Sequence, residues 1–177
     1  LKCFGNGIFV TRPQFRKNFF QDLISACEDH GLNKSKVMGG DNTIRTSSDM
    51  AIYDLKDDKH DILSKAYIAS MEKLVSFYGG IEFLPWHIHE GIGLLRYGPD
   101  EYYKKHVDSG PDLMRSVSMV LYLNDDYLGG EINFPNQGIK IKPNAGDLLI
   151  FPSSYTHPHE SMQVKEGVKY VAVTWFS

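Results

Sequence analysis

Gly93-Leu94-Leu95-Arg96-Tyr97-Gly98-Pro99-Asp100-Glu101-Tyr102-Tyr103-Lys104-Lys105-His106-Val107-Asp108 reads as two short strands separated by a turn. The strand runs are Gly93 to Tyr97 and Tyr103 to Val107, and Gly98-Pro99-Asp100 between them supplies turn chemistry. The pattern continues toward the C-terminus. Ser116 to Leu123, Glu131 to Phe134, Ile139 to Ile141, Asp147 to Phe151 and Lys169 to Phe176 read as further strands. Ser109-Gly110-Pro111-Asp112, Asn124-Asp125-Asp126, Gly129-Gly130 and Pro143-Asn144-Ala145-Gly146 separate them. Short strands at such spacing predict a sandwich or barrel.

Upstream the periodicity changes. From Pro13 to about His30, Phe15, Phe19, Leu23 and Cys27 recur at helical spacing, with Pro13 suited to a first turn and Gly31 to a stop. A second helix is predicted from Asp58 to Tyr78, with Leu63, Tyr67, Leu74 and Phe77 on one side and Gly79-Gly80 ending it. Gly39-Gly40-Asp41-Asn42 marks a loop between them, and Met50 to Leu55 reads as a strand. The expected organisation is one domain over residues 1–177: a helical support region at 1–80 and a mostly β core at 81–177.

A chain of 177 residues is long enough to bury one sizeable core. Its formal charge of -3, with no basic stripe, excludes a nucleic-acid backbone binder, because phosphate binding needs clustered Lys and Arg. Lys104-Lys105 reads as a solvated strand edge. Two cysteines, Cys3 and Cys27, make no disulfide framework, so a reducing compartment such as a microbial or viral host cytosol is expected. No apolar run approaches the ~20 residues of a membrane span, so no membrane partner is expected. The chain starts at Leu1, which leaves a preceding targeting segment open, as it leaves the oligomeric state.

Chemistry concentrates around His106-Val107-Asp108. Residues two apart on a strand share a face, so one imidazole and one carboxylate can reach the same metal ion. His159, about three strands downstream, offers a second imidazole. Two His and one carboxylate on one side of a metal leave its other positions open, the arrangement of non-haem Fe(II) oxygenases. A lone His-x-Asp is common in proteins without a metal, and Thr156-His157-Pro158-His159 offers His157 as a rival to His159. His87-Ile88-His89 forms another pair, but nothing downstream answers it, and it reads as a surface strand. His30 and His60 sit near helix ends, where capping accounts for them. Lys169 lies on a strand among apolar residues: either it snorkels outward, or it points inward and an anion must meet it.

At this point the chain resembles a known family. The run Tyr97 to Asp108, then Arg115 with Val120-Leu121-Tyr122-Leu123-Asn124, then Gly129-Gly130-Glu131 with Phe134-Pro135, is similar to the prolyl 4-hydroxylases. Pro143, Gly146-Asp147 and Phe151, then Pro158-His159-Glu160, and Val164 to Lys169 with Trp175, follow the order seen in Fe(II)/2-oxoglutarate-dependent dioxygenases. Ile44-Arg45-Thr46-Ser47 extends the likeness into the first half.

The resemblance implies a double-stranded β-helix, a cupin-like jelly roll, supported by N-terminal helices. It implies Fe(II) on His106, Asp108 and His159, the last chosen over His157 because His159 precedes Lys169 by the ten residues the family keeps. It implies 2-oxoglutarate with its far carboxylate on Lys169, Tyr122 beside that carboxylate and Tyr97 beside the metal and cosubstrate. Arg115 and Tyr103 match positions that contact a peptide, and Trp175 one that packs near the cosubstrate pocket. O2 would complete the reaction, releasing succinate and CO2, with ascorbate as reductant. The implied substrate is a prolyl residue of a peptide or protein. A lysyl side chain, a free amino acid or another small molecule is the alternative target, and a non-catalytic jelly-roll binding module the alternative class.

Overall fold

The computed structural model describes residues 1–36, 43–52, 62, 65–66, 69–70, 90–111 and 113–177. It opens with a hairpin of β1 (Lys2–Gly5) and β2 (Ile8–Thr11), turned by Asn6 and Gly7 at φ 52° and 77°. Helix α1 (Phe19–His30) follows, then the short β3 (Asn33–Lys34) and β4 (Ser48–Ala51). The C-terminal half carries β5 (Gly93–Tyr97), β6 (Tyr103–His106), β7 (Val117–Tyr122), β8 (Leu128–Gly129), β9 (Ile132–Phe134) and β10 (Ile139–Ile141). It closes with β11 (Leu148–Pro152), β12 (His159–Ser161), β13 (Val164–Glu166) and β14 (Lys169–Phe176).

Antiparallel pairing assembles an eight-stranded sheet in the order β1-β2-β11-β7-β14-β5-β4-β3 and a four-stranded sheet in the order β10-β9-β12-β6. This is a jelly roll, as the resemblance implies. The period-two alternation of each strand sorts its side chains between two cores. On β7, Val117, Met119 and Leu121 join Phe19, Leu23 and Cys27 of α1 in the outer core. Its other face sends Val120 and Tyr122 between the sheets. Strand β14 alternates likewise: Ala172 and Phe176 pack in the outer core, whereas Lys169, Val171, Val173 and Trp175 line the inner space. Each fully buried aliphatic or aromatic side chain contributes roughly 1.5–3 kcal/mol. The outer core thus fixes α1 on one face and leaves the other for the cavity.

Three sequence expectations change. The first helix begins at Phe19, not near Pro13, because Asn18 takes a left-handed backbone (φ 64°) at the N-cap. Phe15 still meets Phe19, ring centroids 5.0 Å apart, so the helical spacing records a stacked contact made from outside the helix. Of the second predicted helix, Ile62, Lys65, Ala66, Ala69 and Ser70 are helical, and its remaining positions lie outside the described residues. The predicted strand Met50 to Leu55 is β4, shifted to Ser48–Ala51, with its last three positions outside the described residues. Finally, the region 1–80 is more than helical support, since β1 to β4 extend both ends of the large sheet.

Candidate active site

A cavity lies between the two sheets, lined by residues of β5, β6, β7, β9, β12 and β14 together with Arg45 and Asp108. At one end His106, Asp108 and His159 converge, each offering a ligand atom, with these atoms all within 4.8 Å of one another. The convergence follows from register. His159 of β12 stands directly opposite His106 of β6 in the antiparallel pair. Asp108 leaves β6 two residues later, where its own N–H and that of Ser109 both donate to the Ser153 carbonyl. The Asp108 carboxylate then lies 3.4 Å from His106 Nε2 and 3.6 Å from His159 Nε2.

Hydrogen bonds set the tautomers. His106 Nδ1 lies 2.7 Å from the Lys104 carbonyl and His159 Nδ1 lies 3.1 Å from the His157 carbonyl. A carbonyl only accepts, so each Nδ1 carries a proton and each Nε2 is the nitrogen turned toward the carboxylate. Burial holds the His159 pKa down to about 4 against the pull of Asp108, so the ring is neutral at pH 7. For Asp108, burial pushes the pKa up, but His159, His106 and the Ser118 hydroxyl together hold it well below the usual carboxylate range. Ser118 donates to Asp108 Oδ2 at 2.6 Å and shares a 2.7 Å hydrogen bond with Ser153. Two imidazoles, which ligate a metal in their neutral form, and one carboxylate make a donor set with a net charge of minus one toward a metal. That set, with its outer hydrogen bonds in place, fits a divalent transition metal.

Deeper in the cavity Lys169 is 2% exposed. Its Nζ donates to the Gly130 carbonyl at 2.9 Å and the Ser161 hydroxyl at 2.7 Å, and lies over the rings of Tyr97 and Tyr122 at 5.0 and 5.4 Å. Those partners are neutral, and among the described residues no carboxylate forms an ion pair with it. Burial, aided by Lys142 and opposed by Glu131, lowers its pKa to about 7. A small dicarboxylate would supply the missing counter-charge. Burial also raises the pKa of Tyr97, against Arg45 and Ser47, and that of Tyr122, keeping both hydroxyls protonated as donors.

The remaining predicted site residues fall at the metal end. Tyr103 lines the cavity and stacks on His106, centroids 3.5 Å apart at 12°. Trp175 lines it too, and its outer side carries the Arg115 guanidinium 3.8 Å from the ring. Arg115 stands behind this wall. It holds Glu90 through two hydrogen bonds, at 2.7 and 2.6 Å, and reaches the Asp108 carbonyl at 3.3 Å. His157 is turned away from the triad, and the pair His87-Ile88-His89 lies outside the described residues. The predictions omitted Ser118, Ser153 and Ser161. Strand alternation was the available signal for two of them: Ser118 interrupts the apolar run of β7, and Ser161 sits two residues beyond His159 on the same face.

A family model described as the 2OG-Fe(II) oxygenase superfamily matches residues 92–177. The chain is 33% identical, over 97% of its length and 74% of the relative's, to a putative prolyl 4-hydroxylase of Acanthamoeba polyphaga mimivirus. It belongs to the 2OG-Fe(II) oxygenases, in the prolyl 4-hydroxylase family. This oxygenase is also 30% identical to prolyl 4-hydroxylase 1 of Arabidopsis thaliana, over 77% of the chain and 55% of that protein. Its fold matches that of a Trichoplax adhaerens prolyl hydroxylase, solved with a hypoxia inducible factor peptide fragment. The TM-score is 0.77 at 20% identity, covering 97% of the oxygenase and 83% of the other chain. The matched residues 92–177 contain the whole donor triad and Lys169.

Proposed function

We propose that this chain is an Fe(II)- and 2-oxoglutarate-dependent dioxygenase that hydroxylates prolyl residues of a peptide or protein and releases succinate and CO2. One observation carries the reading: a single cavity holds an anionic donor triad at one end and, at the other, a buried ammonium that pairs with no carboxylate among the described residues. Ser118 and Tyr122, four residues apart on β7, mark the two ends at roughly 13 Å along the strand. The prolyl target rests on the relatives, which include named prolyl 4-hydroxylases and a neighbour solved with a peptide.

His106, Asp108 and His159 would hold the metal, and Lys169, with Tyr122 and Tyr97 nearby, would hold 2-oxoglutarate. When bound, Fe(II) and 2-oxoglutarate supply O2 activation and oxidation of an unactivated C–H bond, with ascorbate as external reductant. The protein supplies orientation and exclusion of water. The His106 and His159 Nδ1 bonds hold the imidazole planes, Ser118 holds the carboxylate, and the tyrosine and valine walls keep the deep end dry. Tyr103 and Trp175 at the mouth would contact the peptide, with Arg115 fixing Trp175 from behind. No disulfide joins Cys3 and Cys27, which supports a reducing compartment such as the cytosol. Among the described residues no helix is long and apolar enough to cross a membrane.

The test is incubation with prolyl-containing peptides, Fe(II), 2-oxoglutarate and ascorbate, followed by fragment mass spectrometry. One added oxygen on a prolyl residue, matched by succinate release, is expected. Oxygen found on a lysyl residue instead would move the substrate assignment while keeping the chemistry. No succinate with any peptide or small-molecule substrate would leave a binding module.

A further inference from the structure

We infer that His157 is a positioning residue that braces the metal ligand His159 against the N-terminal hairpin; the inference rests on the metal reading above. In sequence His157 looks like a spare ligand two residues from His159. Its ring is only 7% exposed, yet it faces away from the triad. Nε2 bonds the carbonyl of Asn6 at 2.5 Å and Nδ1 bonds the Thr156 hydroxyl at 2.9 Å. The carbonyl only accepts, so Nε2 carries the proton and Nδ1 accepts from Thr156. Both nitrogens are thus used in holding the ring.

The main chain of the same residue faces the metal end. Its carbonyl accepts from His159 Nδ1 at 3.1 Å, the bond that turns His159 Nε2 toward Asp108. One residue therefore joins the hairpin to the distal ligand: Asn6 carbonyl, His157 ring, His157 carbonyl, His159 imidazole. The hairpin is a firm support. Its turn residues are left-handed, and a Cβ added to Gly7 would sit 3.2 Å from Pro152 Cγ, so the turn packs against the end of β11, where the 153–157 loop begins. Elsewhere the loop is held at Ser153, which bonds Asp108, Ser109, Ser116 and Ser118, by His157 N–H to the Ser154 carbonyl, and by Gln137 to the Thr156 carbonyl at 2.7 Å. Those tie it to the metal end, to β7, to itself and to the β9–β10 turn; among the described residues the His157 ring is its hydrogen bond to the hairpin turn.

Outer-shell partners of metal-bound histidines act by fixing the ring's orientation and tautomer, and their loss typically lowers metal affinity ~10–100-fold. The experiment is a Co(II) titration of the metal-free protein, read by ligand-field absorption. Wild type, His157→Gln and His157→Phe are compared. Gln can extend an N–H donor toward Asn6, whereas Phe fills the same space with no donor. We expect Gln to bind Co(II) close to wild type and Phe to bind it ~10–100-fold more weakly with a shifted spectrum. If Phe fails to fold, Gly7→Ala, which strains the turn and leaves His157 intact, carries the same expectation of weakened binding. Equal affinity in wild type and the weakened variant, or a Gln variant as weak as Phe, overturns the brace. Failure of the wild type itself to bind Co(II) overturns the metal reading instead.

Discussion

The two ends of the cavity solve the problem of a buried charge in different ways. At the metal end partners aim each ligand side chain: the Nδ1 atoms meet carbonyls and Asp108 meets Ser118, which turns both Nε2 atoms and the carboxylate toward one another. At the deep end Lys169 meets, among the described residues, a carbonyl, a hydroxyl and two aromatic rings but no carboxylate. The first end is organised by hydrogen bonds that orient acceptors. The second is held in a high-energy condition by burial, and an anion relieves it. A divalent cation suits one end and a dicarboxylate the other, so the two ligands complete a charge pattern that the protein alone leaves open.

Removal of a donor at the metal end should have the largest effect. Asp108→Ala and His159→Ala are expected to abolish turnover and to lower metal affinity by more than the ~10–100-fold of an outer-shell change. His157→Ala should retain some turnover. Turnover assays and Co(II) titration check this, and an active His159→Ala beside a dead His157→Ala would reverse the assignment of the distal ligand.

The deep end should respond with opposite signs in function and stability. Truncating one partner of a buried charge pair costs about 2–5 kcal/mol, so Lys169→Met should raise the KM for 2-oxoglutarate by roughly 30-fold or more. The same substitution removes an unpaired buried cation, so the ligand-free variant should melt at a higher temperature. A parallel loss of stability and affinity would mean that Lys169 is a structural group. Its lowered pKa adds a pH signature. Between about 7 and the ordinary 10.5 the unfolded chain keeps the lysine proton and the folded, ligand-free chain does not. Stability should therefore rise with pH across that window, and in Lys169→Met the rise should shrink to the part that Lys142, also lowered by burial, supplies. Binding of a dianion restores the proton. The affinity for 2-oxoglutarate should then fall by up to about tenfold per pH unit above 7, with proton uptake visible by calorimetry in buffers of different ionisation enthalpy.

What the sequence made legible follows the same division. Strand β14 was read at its observed bounds, Lys169–Phe176, because its eight residues are rich in β-branched and aromatic types and Gly167 marks the turn before them. The strand itself left the direction of Lys169 open, and the family resemblance implied that it points inward. Strand β12 escaped as a strand because three residues are too few to show a period, although the cross-strand meeting of His159 and His106 depends on it. The β1–β2 hairpin was missed despite a local signal, Asn6-Gly7 between Lys2-Cys3-Phe4 and Ile8-Phe9-Val10. The start of α1 was misplaced because the Phe15–Phe19 spacing mimics a helical contact while Asn18 breaks the helix between them. The burial of His157 against Asn6 was beyond any local pattern, since its partner is 151 residues away.

The smallest effect should come from Ser118, and it tests whether the metal end is organised by orientation or by charge alone. Ser118→Ala removes the 2.6 Å bond to Asp108 Oδ2 without changing any formal charge, and it leaves Ser153 to hold the loop through its carbonyl. If only charge mattered, the carboxylate would keep its attraction for the metal and affinity would stay at the wild-type value. If the hydrogen bond aims the carboxylate, one oxygen becomes free to rotate, and Co(II) affinity should drop by about tenfold. Ser118→Thr keeps the hydroxyl at a position where Trp175 faces it across the β7–β14 pair, and should hold affinity nearer to wild type. The Lys169 end should not register either substitution, so the melting temperature's dependence on pH from 7 upward should be the same in all three proteins. A change in that profile would show that the two ends are coupled through the shared sheet.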